Sequence, residues 1–231
     1  MTEDMSGTDN NISSLFRSMK RADQILVGIT GGIGSGKSTV STLVHDAGYT
    51  VFSSDVIAKE IVATNPEVQA EIVEQFGLEV QAPDGSIDSK ALAAKVFGTT
   101  PHHEAALQAL NAIVHPYVVQ ELYERAKERF EAGEKCVFNE SALLFEAGLE
   151  DCYDYIVVVD APEDVRIRRV TTSRGLTDDD VRRRIAMQMP AAEKVKAADF
   201  VVNNAGSEDD LRKAVRFILA VVPTLKAQSL E

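Results

Sequence analysis

The run Gly31-Gly32-Ile33-Gly34-Ser35-Gly36-Lys37-Ser38, with Thr39 behind it, fits G-x-x-x-x-G-K-[ST] in full. Each residue type in that pattern has a physical task. Glycines let the backbone bend tightly around phosphate oxygens and turn its N–H groups toward them, and the N-terminus of the helix that follows adds partial positive charge. Lys37 is placed to reach the β- and γ-phosphates, and the Ser38 hydroxyl to hold Mg2+. The candidate triphosphate site is therefore Gly32, Ile33, Gly34, Ser35, Gly36, Lys37, Ser38 and Thr39, with Ser38 as the metal ligand. The loop points to a nucleoside triphosphate and is silent about what becomes of it.

Phosphoryl transfer to an alcohol needs a group that orients or deprotonates the acceptor hydroxyl. Asp55 follows a short strand-like run, on the edge of the sheet where ligands bind; it reads equally as the N-cap of a helix over 56–63. Glu140, ending another such run, is either a Mg2+-shell carboxylate or a partner for an arginine. Seven arginines (166, 168, 169, 174, 182, 183 and 184) crowd residues 166–196 of a chain whose net charge is −12. They form a basic lid over phosphates or a solvated helix face. Asn203 either reads an adenine edge or turns the chain, and His115 before Pro116 reads as a packed or capping residue. There is no guanine-reading Asn-Lys-x-Asp, no His/Cys/Asp/Glu set at metal-site spacing and no Ser/His/Asp arrangement. A small-molecule kinase is the leading class at 231 residues.

These residues need a scaffold. Ile25–Thr30, 49–53, 135–139, Tyr155–Asp160 and Phe200–Asn203 read as strands alternating with helices, the pattern of a doubly wound parallel α/β sheet. Lys37–Asp46 has helical spacing, with Val40, Leu43 and Val44 on one face and Gly48 placed to end it. Residues 55–131 lack a convincing strand and read as a helical insertion whose last helix covers 116–131. The expected organisation is an N-terminal extension, residues 1–23, disordered by composition, then one kinase domain over 24–231. Its core would be 24–54, 132–165 and 198–225, with an acceptor-binding insertion over 55–131 and a lid over 166–197. Met19, just ahead of the first strand, is a candidate start. Composition is that of a globular chain, 45% apolar and 26% charged. The negative charge argues against nucleic acid and anionic membrane as partners, no apolar run is long enough to span a bilayer, and two cysteines without CxxC spacing suit a reducing, cytoplasmic setting.

An ordered set of segments resembles the dephospho-coenzyme A kinase family from Ile25 to about Val222. The set is Gly28-Ile29-Thr30 running into the loop, Asp55-Val56-Ile57-Ala58-Lys59, His115-Pro116, Leu143-Leu144-Phe145-Glu146, Arg184-Ile185-Ala186-Met187-Gln188, and Lys194 with Asp199 and Asn203. The resemblance implies a five-stranded phosphate-loop kinase core with a helical substrate lobe and a lid. It also implies transfer of the γ-phosphoryl group of ATP, with Mg2+, to the ribose 3′-hydroxyl of dephospho-coenzyme A. Asp55 then becomes the base or hydroxyl-orienting group; Lys37, Arg169 and Arg174 neutralise the moving phosphoryl group; and Asn203 belongs to the ATP site. His115, Leu143, Leu144, Phe145 and Glu140 belong to the acceptor site, although an apolar core role fits the Leu-Leu-Phe run equally. Many members carry a second acid two positions before the Asp55 equivalent, where this chain has Ser53. Glu140 stands where many have Asp, and Ser173-Arg174-Gly175-Leu176 replaces Arg-Asp-Gly-Leu.

Overall fold

Ile25–Thr30 (β1) is buried at every position, as a strand covered on both faces must be. The computed structural model describes residues 16, 21, 23–98 and 100–227, and of Arg174 the backbone alone. After β1 come Lys37–Asp46 (α1), Thr50–Ser53 (β2), Ser54–Thr64 (α2), Pro66–Phe76 (α3), a 3-10 turn Leu78–Val80, Ser89–Val96 (α4) and Pro101–Glu131 (α5). Cys136–Glu140 (β3), Tyr155–Asp160 (β4), Glu163–Arg174 (α6), Asp178–Ala186 (α7), Ala191–Ala197 (α8), Phe200–Asn203 (β5) and Glu208–Val221 (α9) complete it. The five strands form one parallel sheet in the order β2-β3-β1-β4-β5.

Register aligns the strand ends. Ser53 of β2 and Ile29 of β1 both lie opposite Glu140, and Asp160 of β4 lies opposite Asn203. The carboxyl ends therefore make one edge, where open α/β sheets bind ligands. Two acids fix the other edge: Asp154 accepts Leu26 N–H at 2.7 Å and Asp199 accepts Ile156 N–H at 2.8 Å. On one face of β1, Ile25, Val27 and Ile29 pack in a cluster with Val40 and Val44 of α1 and Leu211, Val215 and Ile218 of α9. The last three recur at helical spacing, and each such burial stabilises the fold by roughly 1.5–3 kcal/mol. Helix α9 begins at a capping box between Ser207 and Asp210.

The chain divides into two compact units, one taking in the chain up to Ser53 and from Arg125 onward, the other Ser54–Glu124. In the second, α2 packs on α3, and the 3-10 turn touches both α3 and α4. Asn65 caps α3 by accepting from Glu67 and Val68 N–H, with Pro66 at its first position. Helix α5 runs unbroken through Pro116, where the sequence suggested a junction and a helix beginning at 116. Proline deprives the Ala112 carbonyl of its helical donor, but Ala112 is exposed, so solvent can take that bond and the helix continues. Its final turns belong with the sheet: Ala126 and Phe130 are buried, and Gln24 Nε2 donates to Phe130 O at 2.8 Å.

Most of the N-terminal extension, with the candidate start at Met19, lies outside the described residues. Those described include Phe16, which is buried, and Asp23, which pairs with Lys135. Among the described residues no helix is long and apolar enough to cross a membrane. Cys136 and Cys152 are free and buried, and burial pushes the Cys136 thiol up to about 12.

Candidate active site

The loop between β1 and α1 depends on glycine where its backbone turns left-handed. Gly34 has φ +76°, and a Cβ there would stand 2.6 Å from Arg166 O and 2.8 Å from a Val170 methyl; Gly36 has φ +96° and abuts the Asn204 amide. Helix α1 then opens at Lys37 with no side-chain cap and no acid in its first turn. Its leading N–H groups and the positive end of its dipole are left for an anion. Lys37 Nζ donates to Gly31 O at 2.8 Å and Gly32 O at 3.3 Å, which folds the ammonium over the loop. Ser38 and Thr39 are exposed at the helix start. The buried hydroxyls Thr30 Oγ1 and Ser35 Oγ have no hydrogen-bond partner among the described residues.

Helix α6 and the turn after β5 wall the loop on one side. Arg169 Nη2 donates to Asn204 O at 2.9 Å, and Asn204 Nδ2 donates to Ser35 O at 2.8 Å. Asn203 is exposed and its Oδ1 accepts Ala205 N–H at 2.9 Å, so the loop-facing amide is that of Asn204. Strand alternation carries the signal: Val202 is buried, Asn203 exposed and Asn204 buried again. Ile33 N–H donates to Gln188 Oε1 at 2.9 Å, tying the loop to the segment after α7. The arginine cluster splits by role. Arg182 pairs with Glu163 and Arg183 with Asp180 on the surface, Arg168 and Arg184 are exposed, and Arg166 and Arg169 lie against the loop. The Arg174 side chain lies outside the described residues.

Glu140 is half-buried at the carboxyl edge beside Ser53. Asp55 lies inside the first turn of α2 and is exposed; that helix begins at Ser54, two residues before the start at Val56 that an N-cap at Asp55 would require. His115 is half-buried on α5, and burial holds its imidazole below the usual pKa. Leu143 is 39% exposed, whereas Leu144 is fully enclosed and Phe145 is buried. Leu144 packs beneath β1, its Cδ1 2.5 Å from where a Gly28 Cβ would stand, so Leu144 and Phe145 build core and Leu143 alone of the three offers surface to an acceptor.

The family model described as CoaE, dephospho-CoA kinase, matches residues 25–210. The chain belongs to the dephospho-CoA kinase family. A dephospho-CoA kinase of Corynebacterium efficiens is 43% identical over 87% of this chain and 98% of its own length. One from Geobacillus kaustophilus is 37% identical over 84% and 95%. Among solved structures, TT1252 from Thermus thermophilus shares a TM-score of 0.70 and 38% identity, covering 85% of this chain and 97% of that one. The dephospho-CoA kinase from Campylobacter jejuni gives 0.64 and 25%, covering 86% and 96%.

In this member of the dephospho-CoA kinase family, the segment after α7 is anchored by Glu146. Its Oε1 accepts Met189 N–H at 2.8 Å and pairs at 2.8 Å with Lys194 Nζ, whose side chain is 1% exposed. Leaving that ammonium buried without its partner is strongly unfavourable. Glu146→Gln is therefore expected to destabilise the enzyme by about 3 kcal/mol, lowering its melting temperature by roughly 6–12 °C. The double variant Glu146→Leu, Lys194→Met should melt well above the single one, because no charge is left alone; calorimetric melting of both checks this.

Proposed function

We propose that this protein catalyses ATP-dependent phosphorylation of the ribose 3′-hydroxyl of dephospho-coenzyme A, releasing ADP and coenzyme A. The observation that carries the reading is the uncapped, acid-free start of α1 beneath a glycine loop, with the Lys37 ammonium folded over it. That arrangement supplies amide donors, dipole and charge at one place for a triphosphate. Membership of the dephospho-CoA kinase family supports the acceptor.

In this reading Gly32 to Gly36 wrap the β- and γ-phosphates, and Thr39 and Lys37 lie at the helix start that faces them. Lys37, Arg169 and Arg174 balance charge on the phosphoryl group as it leaves ADP, the dominant contribution in this chemistry. Asp55 accepts the proton of the 3′-hydroxyl or aims its oxygen in line with the γ-phosphorus. Glu140, His115 and Leu143 are assigned to the acceptor, and Asn203 to ATP. An ATP-using kinase calls for a divalent cation, and the donors suit Mg2+: the exposed Ser38 hydroxyl and hard carboxylate oxygen at Glu140. Among the described residues no group of three His, Cys, Asp or Glu could hold a metal, in keeping with an ion bound largely through substrate phosphates and water. When bound, Mg2+ would offset negative charge on the phosphates. Free, buried thiols favour a reducing, cytoplasmic setting.

A coupled ADP-release assay tests the proposal. ADP should appear with ATP and dephospho-coenzyme A together, and scarcely with ATP alone. Release driven by a nucleoside monophosphate and not by dephospho-coenzyme A would overturn it.

A further inference from the structure

Arg166, on the second turn of α6, is only 5% exposed, and the one hydrogen bond of its side chain among the described residues runs from Nε to Ala161 O at 3.1 Å. No carboxylate among the described residues pairs with it: Glu163, three residues earlier on the same helix, is engaged by Arg182 at 2.9 Å. The guanidinium lies against the phosphate loop, Nη1 standing 2.5 Å from where a Gly32 Cβ would be. Lys37 Nζ reaches the carbonyl of that same Gly32 at 3.3 Å. Two cations thus meet at one loop residue. A guanidinium taken out of water is costly unless an anion accompanies it, and its planar fork matches phosphate oxygens better than an ammonium does.

We propose that Arg166 binds a phosphate oxygen of the nucleoside triphosphate, reaching it across Gly32 from Lys37. The Nε bond to Ala161 fixes the side chain so that Nη1 and Nη2 are presented to the ligand. This rests on the reading that the loop holds ATP. It adds a ligand-contacting arginine one helical turn before Arg169, on the same face of α6.

The test compares the full-length wild type with Arg166→Met and Arg166→Gln, measuring affinity for ATP and for inorganic tripolyphosphate by calorimetry. Loss of a charge-assisted bond predicts that both ligands bind about tenfold to a hundredfold more weakly in a folded variant. ATP affinity unchanged in a folded variant overturns the inference. If Arg166→Met does not fold, Arg166→Gln decides by the same criterion; if neither folds, Arg166 is a strut for Ala161 and the inference fails. Wild-type enzyme that binds no ATP would defeat the function proposed above as well, whereas wild-type binding that survives the substitution defeats this inference alone.

Discussion

Asp55→Asn is expected to lower turnover by about 10²–10⁴-fold while leaving ATP affinity close to that of the wild type. The asymmetry follows from chemistry. An amide keeps the shape of the carboxylate but cannot take a proton from an alcohol, and it aims the hydroxyl less strongly because it carries no charge. ATP phosphates gain nothing from a nearby anion, so their binding should not suffer when it is neutralised. Asp55 also occupies the first turn of α2, where a carboxylate is favourable to the helix dipole. Those two roles separate in one experiment. If Asp55 serves only the helix, the Asn variant melts slightly lower and turns over normally; if it serves the acceptor, turnover collapses while melting barely moves. Single-turnover kinetics with saturating ATP, beside a melting curve, distinguishes them.

Ser53 bears on that prediction. The absence of an acid two positions before Asp55 weakens a scheme in which two carboxylates close in sequence share the acceptor. Glu140, opposite Ser53 in the sheet, is the carboxylate next to that position on the same edge. Any residual activity in Asp55→Asn therefore points to Glu140 as the group to remove next.

What was legible in the sequence were features with strong local punctuation. Ile25–Thr30 and Lys37–Asp46 end where expected because a glycine-rich turn separates them and Gly48, with φ +95°, stops the helix. Tyr155–Asp160 likewise matches, since a buried parallel strand reads as an unbroken apolar run; Phe200–Asn203 matches too, although as the edge strand it buries only Val202. Pro116 misled because proline ordinarily opens a helix, and nothing local reveals that Ala112 would be exposed and able to do without its helical donor. The arginines could not be sorted by count. Charge density at 182–184 is as high as at 166–169, yet Arg182 and Arg183 find acids on the surface. Spacing held more than density did: residues 166 and 169 lie one turn apart on a face that must meet the loop. Leu144 and Leu143 are alike in composition and differ only in direction, and direction is set by packing beneath β1 that a linear reading does not contain.

Lys37→Ala should damage both binding and turnover. The ammonium carries a full charge to phosphates that are negative in the ground state and remain so as the γ-phosphoryl group moves, so ATP affinity falls with its removal. Charge shifts toward the leaving oxygen in the transition state, where a fixed cation gains further; removing one such stabilising group typically lowers turnover by about 10²–10³-fold. Lys37→Arg is the informative companion. It keeps the charge but is longer and planar, and the carbonyls of Gly31 and Gly32 that hold Nζ at 2.8 and 3.3 Å are spaced for a compact ammonium. Arginine should therefore recover more of the ATP affinity than of the turnover. Recovery of both in equal measure would mean that charge alone matters at this position, and that the loop carbonyls do not aim the cation at the phosphate being transferred.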